Sequence, residues 1–364
     1  MSVEFAEVAA LDADVAAGVA RRRSRLPVGA LGVLGPLIDA LASARGSADG
    51  PLPPRQVDLI VFAADHGVAA AEVSARPADW TAVTAGLLHR GDGPVAALAR
   101  AAQIGVRVED LGIDPAHAAG EAASEALASL PAGHRVRTGS GRIDREDALT
   151  VDEAVAAVQA GRTVADEQID AGADLLVPAV CGVGVSTPVA ALVSAVTGME
   201  PVDATTRGSG IDDAGWMRKA AIVRDARRRL GADPDVLTML ATAGGADLAA
   251  LTGCIAQAAS RRVPVLVHDV PSALCAVLAN RVAPGTDAFV FAAALAPERP
   301  HRRLLELLGR EPLSDWGVTG ECGTAALLVV PAIRAAARAL DAVGDLPGSS
   351  RTGRALTAWD VDLL

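Results

Sequence analysis

Three stretches of this sequence gather residues able to do chemistry. The last of them, Gly317-Val318-Thr319-Gly320-Glu321-Cys322-Gly323-Thr324-Ala325-Ala326, holds a single charge, Glu321, among glycines. Glycine lets the backbone turn sharply and lets a ligand come close. A carboxylate in so apolar a turn is expected to be partly desolvated, which raises its pKa and suits it to general-base work. A helix N-terminus with an acid in its first turn accounts for the same residues equally well. The second stretch is Cys181-Gly182-Val183-Gly184-Val185-Ser186-Thr187-Pro188, and the third is Thr206-Arg207-Gly208-Ser209-Gly210-Ile211-Asp212-Asp213. Each places glycines and hydroxyls just before a helix, an arrangement that cradles phosphate. An ordinary strand-to-helix turn has the same outline, and neither stretch is a Walker A or GxGxxG sequence.

Of the 33 lysines and arginines, only Lys219 is a lysine. It falls about one and a half turns into the helix that the third stretch opens. A compact ammonium suits a phosphate pocket better than a guanidinium fork, although a lone lysine also arises by chance. Asp65-His66 and His268-Asp269 each read as an acid/base pair or as a plain loop. His89, His117 and His134 fall in polar surroundings and read as solvated. The tryptophans at 80, 216, 316 and 359 read as packing residues, with Trp316 nearest Glu321 along the chain. No Ser/His/Asp triad or metal-ligand cluster emerges from spacing.

These groups need a scaffold. Val57–Ala64, Val106–Leu111, Asp174–Val180, Val263–Asp269 and Ala288–Ala293 are short apolar runs rich in strand formers. Helical stretches of roughly ten to fifteen residues separate them, including 81–88, 151–171, 189–196, 214–230, 248–260 and 272–280. This alternation predicts an α/β fold with a doubly wound, mostly parallel sheet. Ligands bind such sheets beyond the C-terminal ends of the strands, where Asp65 and Gly182 fall. Residues 1–50 and those from about 310 onward read as mostly helical, and Ser43–Arg55 reads as a linker. A small helical domain built from both chain termini follows: 1–50 plus 311–364, beside a large nucleotide-binding domain of 51–310.

Composition narrows the function. A net charge of −11 argues against gripping nucleic acid by its phosphates. No apolar run is long and clean enough to span a membrane. The first twenty residues lack the basic-then-apolar order of a signal segment, so cytoplasmic residence is expected. Cys181, Cys254, Cys275 and Cys322 have no CxxC spacing, so neither a zinc site nor a disulfide framework is indicated.

Taken together and in order, the motifs resemble the nicotinate-nucleotide–dimethylbenzimidazole phosphoribosyltransferase family over nearly the whole chain. Leu26-Pro27-Val28-Gly29-Ala30-Leu31-Gly32 is similar to that family's KPPGSLG segment. Ala64-Asp65-His66-Gly67-Val68 with Val73-Ser74 and Pro77 resembles its ADHGV…VS…P stretch. Ser186-Thr187-Pro188-Val189-Ala190-Ala191 resembles its NTTPAAA loop, and Gly244-Gly245-Ala246-Asp247-Leu248 its GG-x-D/E segment. Gly320-Glu321-Cys322-Gly323-Thr324-Ala325-Ala326 resembles its GEGSGAA motif.

The resemblance implies a Rossmann-like large domain, a small helical one and a homodimer. It implies transfer of 5-phosphoribose from nicotinate mononucleotide to a benzimidazole-type base in cobalamin assembly, with no cofactor and no metal. Glu321 would be the catalytic base. Gly182, Gly184, Ser186, Thr187, Gly208, Ser209 and Lys219 would hold phosphate and ribose. Asp65, His66, Val180, Thr319 and Gly320 would surround the acceptor base. The chain departs from the pattern at Val180, where many members carry glutamate, and at Val185, His268-Asp269 and Ala293-Ala294. The alternatives are a paralogue using another azole or purine-like base and a catalytically silent nucleotide binder. A Rossmann-type oxidoreductase is disfavoured, because no GxGxxG follows a strand with an acid about twenty residues on.

Overall fold

A computed structural model describes residues 3–48, 52–319 and 321–344. Five parallel strands form one sheet: β1 (Val57–Ala64), β2 (Gly105–Gly112), β3 (Leu175–Cys181), β4 (Val265–Val267) and β5 (Val290–Ala292). Their order in space is β2-β1-β3-β4-β5. The expected α/β doubly wound sheet is therefore present, with all paired strands parallel. The winding reverses between β1 and β3, which pair from Val57 opposite Leu175 to Ala63 opposite Cys181. The crevice above their C-terminal ends is where such a sheet takes its ligand.

The residue pattern explains the layering. All eight residues of β1 are buried, as expected for a strand covered on both faces. Ile60 and Phe62 face one apolar cluster, with helices Val151–Asp170, Ala246–Ser260 and Val270–Val282. Leu59, Val61 and Ala63 face the other, with helices Trp80–His89, Gly93–Ala101 and the first half of Thr324–Gly344. A third, smaller cluster joins Val19, Leu31, Ile38, Ala42 and Leu52 to Ala337 and Leu340, so both chain ends contribute to it. Gly320 and residues 345–364, with Trp359 among them, lie outside the described residues.

Several elements differ from expectation, among them the strand expected at 288–293, which keeps only Val290–Ala292. The run 263–269 keeps only Val265–Val267 as strand, because Pro264 has no N–H to give the ladder and Asp269 leaves it to cap the next helix. Its side chain accepts from Ser272 N in a capping box. The helix before the expected linker runs on to Arg45 and ends at Gly46, whose φ of +66° suits a C-terminal glycine. Helix Arg299–Leu308 was not expected, and it presents His301, Leu304, Leu305 and Leu308 inward.

Helices Val151–Asp170 and Ala246–Ser260 touch backbone to backbone. A Cβ on Gly161 would sit 1.8 Å from the Ala250 carbonyl oxygen, and one on Gly253 would sit 2.1 Å from that of Val158. Alanine at a mid-helix glycine ordinarily gains up to about 1 kcal/mol. Here the overlap is with backbone, and overpacking of that kind costs roughly 1–3 kcal/mol. Gly161→Ala should therefore lower the urea midpoint; an unchanged or higher midpoint would refute this close crossing.

Candidate active site

The floor of the crevice is a glycine loop held from below. Gly182 follows β3, and a Cβ there would lie 2.2 Å from the carbonyl oxygen of Ala64 at the end of β1. Gly184 has φ +86°, a backbone position that favours glycine. The loop is tied down by hydrogen bonds: His66 N donates to Val183 O at 3.3 Å, and Val183 N donates to Thr81 Oγ1 at 3.0 Å. Thr81 Oγ1 in turn donates to Asp65 Oδ1 at 2.5 Å. The other oxygen of Asp65 accepts from Asp114 N at 2.9 Å and lies 3.3 Å from His117 Nδ1.

Asp65 and His66 thus sit behind the loop rather than in the cavity wall, which corrects their placement around the acceptor base. His66 Nε2 pairs with Asp247 Oδ2 at 3.1 Å, both side chains fully buried. Burial lowers the imidazole's pKa, but the Asp247 carboxylate, with Asp65 further off, outweighs it and the net shift is upward. The ring lies beneath Gly182 and Gly184 and against Gly245, where a Cβ would be 2.6 Å from His66 Cε1. His117 is not the solvated residue expected, since it reaches Asp65. His134 likewise contacts a buried carboxylate, Glu109 Oε2, at 3.0 Å.

Above the floor, Ser186 opens the helix Ser186–Thr197. Lys219, on helix Asp213–Leu230, is fully buried and donates to Ser186 Oγ at 2.8 Å and to Thr206 O at 2.9 Å. Among the described residues no carboxylate pairs with it, and burial pushes its pKa down to about 8. Gly208, at φ +52°, closes over both: a Cβ would be 2.5 Å from Ser186 Oγ and 3.2 Å from Lys219 Nζ. Ser209 Oγ accepts from Ala75 N at 2.8 Å and lies 3.1 Å from Ser74 Oγ. Thr187 is fully buried, its Oγ1 without a hydrogen-bond partner.

One cavity joins these groups to Glu321. Val180, Gly182, Gly184, Ser186, Gly208, Ser209, Thr319 and Glu321 all line it, enclosing about 160 Å³ that opens to solvent. The two glycine-and-hydroxyl loops and the acid singled out in the sequence therefore share one chamber. Thr187 and Lys219 stand just behind the wall. Val180 presents an aliphatic surface where many relatives are expected to carry a carboxylate.

Glu321 is not desolvated as the sequence suggested. Its side chain is 44 % exposed, and Arg76 Nη2 holds its Oε1 at 3.1 Å. The surrounding turn is formed by Cys322 at φ +50° and Gly323 at φ +87°. A Cβ on Gly323 would be 2.5 Å from Leu59 Cδ1, so the turn is seated on β1. Glu321 O then accepts from Thr324 N and Oγ1, starting the last helix.

Arg76 escaped the sequence reading; its only signal was a place inside the Val73-Ser74…Pro77 stretch. Its guanidinium lies 4.9 Å over the ring of Trp80, which also lines the cavity. Among the described tryptophans Trp80 shares the cavity lining with Glu321, and Trp316 does not line it. His268 lines the far wall, fully buried, with both ring nitrogens unpartnered and Nδ1 3.4 Å from Asp269 Oδ2. Cys181 and Cys322 also line the cavity, and a hydrogen bond to Cys322, then burial, raises the Cys181 thiol pKa. A protonated thiol of this kind is a poor nucleophile.

Lys219 makes this site sensitive to pH. Its folded pKa of about 8 lies below the unfolded value of 10.5, so its charge destabilises the fold at every pH below 8. That cost is on the order of 3 kcal/mol and is relieved as pH rises from 8 toward 10.5. An anion beside the ammonium offsets it. Added inorganic phosphate should therefore raise the melting temperature more at about pH 7.5, where Lys219 is charged, than at about pH 9.5. Lys219→Met should abolish that difference; a phosphate effect that survives in the variant would exclude Lys219 as the anion's partner.

The comparisons agree with this geometry. A family model described as Phosphoribosyltransferase matches residues 8–347. The nicotinate-nucleotide–dimethylbenzimidazole phosphoribosyltransferase of Mycobacterium marinum is 41 % identical over 347 residues, 94 % of this chain and 93 % of its own. That of Mycobacterium tuberculosis is 40 % identical over 364 residues, 98 % and 97 % of the two chains. A solved structure of the Thermus thermophilus enzyme of that name is 33 % identical, with a TM-score of 0.82 over 94 % of this chain and 100 % of that one. A glycine-loop cradle around a buried lysine, a carboxylate across the cavity, and likeness along the whole chain lead to one conclusion: this chain is an enzyme of the phosphoribosyltransferase family.

Proposed function

We propose that this enzyme transfers 5-phosphoribose from nicotinate mononucleotide to dimethylbenzimidazole, giving the α-ribotide and nicotinate for cobalamin's lower ligand. The observation that carries the reading is a carboxylate on the wall of one cavity and, behind Ser186 of the same wall, a buried ammonium with no anionic partner among the described residues. The phosphate would take that place, held by Lys219, Ser186, Gly208, Ser209 and the N-terminal end of the 186–197 helix. The ribose then spans the cavity beside Gly182 and Gly184, with its anomeric carbon toward Glu321.

The bond balance suits these residues. The C–N bond from the anomeric carbon to the pyridinium breaks, and its electron pair stays on the nicotinate ring nitrogen, which becomes neutral. One imidazole-type nitrogen of the base attacks from the opposite face, inverting the carbon. The other nitrogen must lose its proton, and Glu321 accepts it. The leaving group departs without gaining negative charge, so the chain's chief tasks are to align the two rings and to receive one proton.

On the same reading, the described parts of 1–50 and of 311–364 belong to a small helical domain against 51–310, supported by the cluster that joins Val19 and Ile38 to Ala337 and Leu340; residues 345–364 lie outside the described residues. The reading also carries homodimeric assembly and cytoplasmic residence, both from likeness to the family. No described helix is long and apolar enough to cross a membrane. A second reading, transfer to another azole or a purine-like base, draws on Val180, which leaves that part of the cavity wall apolar.

The test is chromatography of the protein incubated with nicotinate mononucleotide and dimethylbenzimidazole. Wild type should release nicotinate and a new ribotide. Glu321→Gln should turn over roughly 10²–10⁴-fold more slowly while still binding the nucleotide. Nucleotide binding without turnover on this base, followed by turnover on another azole, would establish the second reading. Failure to bind nicotinate mononucleotide at all would refute both.

A further inference from the structure

Arg76 is the one cationic side chain seen to touch the carboxylate of Glu321 among the described residues. It reaches Oε1 through Nη2 at 3.1 Å, and among the described residues no hydrogen bond engages Oε2. Three further contacts fix where the guanidinium stands. Its ring partner is Trp80, 4.9 Å away, an aromatic face that favours a cation. Its backbone N donates to Ser74 Oγ at 3.1 Å. The residues just before it are anchored to the phosphate loop, since Ala75 N donates to Ser209 Oγ at 2.8 Å. The segment 74–76 thus bridges the two sides of the cavity, from Ser209 to Glu321.

We infer that Arg76 is a positioning residue for the transfer: it holds Glu321 by one oxygen so that the other faces the proton of the incoming azole. The inference rests on the proposed role of Glu321 as proton acceptor. Both side chains are more than two-fifths exposed, 42 % for Arg76 and 44 % for Glu321. Exposed ion pairs are weak in free energy, so the worth of this one lies in orientation rather than in stability. A carboxylate on a turn at the mouth of a cavity otherwise samples several rotamers, and only some of them reach the acceptor. A lysine cannot substitute, because it lacks the planar fork that stacks on Trp80 while donating to Glu321.

Arg76→Ala and Arg76→Lys, assayed with nicotinate mononucleotide and dimethylbenzimidazole beside wild type, test this. In Arg76→Ala, kcat should fall by about 10²-fold, with the nucleotide's Kd by calorimetry unchanged. Added guanidinium ion should restore a measurable part of that loss, and Arg76→Lys should stay impaired. A merely structural contact would show no rescue, and absence of rescue overturns the inference. So would kcat within about twofold of wild type, or a loss that appears wholly as weaker nucleotide binding. If wild type itself turns over no azole, the proton-acceptor reading of Glu321 fails and takes this inference with it. An active wild type with an indifferent Arg76→Ala removes this inference alone.

Discussion

The carboxylate of Asp65 is the contact on which the site depends. It is buried at the exit of β1 and bound by donors from elsewhere in the fold: the Thr81 hydroxyl on the 80–89 helix and the Asp114 amide after β2. Through Thr81 it also governs the Val183 amide in the glycine loop after β3. A buried charge is tolerated only when its lone pairs are satisfied, and leaving one unsatisfied costs a few kcal/mol. The two strands at the reversal of the sheet are therefore locked to each other and to the helix beside them. Gly182 completes the lock, because any side chain there would collide with the Ala64 carbonyl. His66 and Asp247 form a second buried pair under the same loop. The glycine loop is held from below, while its cavity face stays open.

Lys219 stands against that rigidity. Its two hydrogen-bond partners, Ser186 Oγ and Thr206 O, are both neutral. A buried ammonium without a counter-charge is a local defect in the unliganded fold, and proteins keep such defects where a ligand removes them. The same logic separates Lys219 from the many arginines of the surface. Arg261, for example, has two carboxylates, Asp166 and Asp170, within 2.6 Å. Such pairs are satisfied in the folded chain itself and leave nothing for a substrate to do.

How much of this was legible in the sequence depends on range. Strand β1 was readable because six apolar residues in a row, Leu59 to Ala64, need both faces covered. The 182–188 and 206–210 loops were readable because their glycines and hydroxyls are contiguous, and Lys219 because it is the chain's lone lysine. Asp65 and His66 were placed at the right strand end but on the wrong side of the loop. Adjacency along a chain does not say which face a side chain takes once Thr81 and Asp247 compete for it. The exposure of Glu321 was misjudged for a like reason: its apolar sequence neighbours turn toward β1, and its own side chain turns toward Arg76. That arginine lies 245 residues away, beyond the reach of any local pattern.

The scarcity of aromatic residues has an optical consequence. Aromatics make up 2 % of this chain and tyrosine is absent, so its near-ultraviolet signal belongs almost wholly to tryptophan. Among the described residues Trp80 is the only tryptophan lining the cavity, and its indole carries the Arg76 guanidinium on one face. Trp216 instead ties its ring nitrogen to Thr205 O, and Trp316 stands 57 % exposed away from the chamber. The molecule therefore contains its own chromophore in the wall of the cavity that holds Glu321. An aromatic ring arriving there changes the polarity and the charge around one indole, so occupancy can be followed in the emission of the unmodified protein.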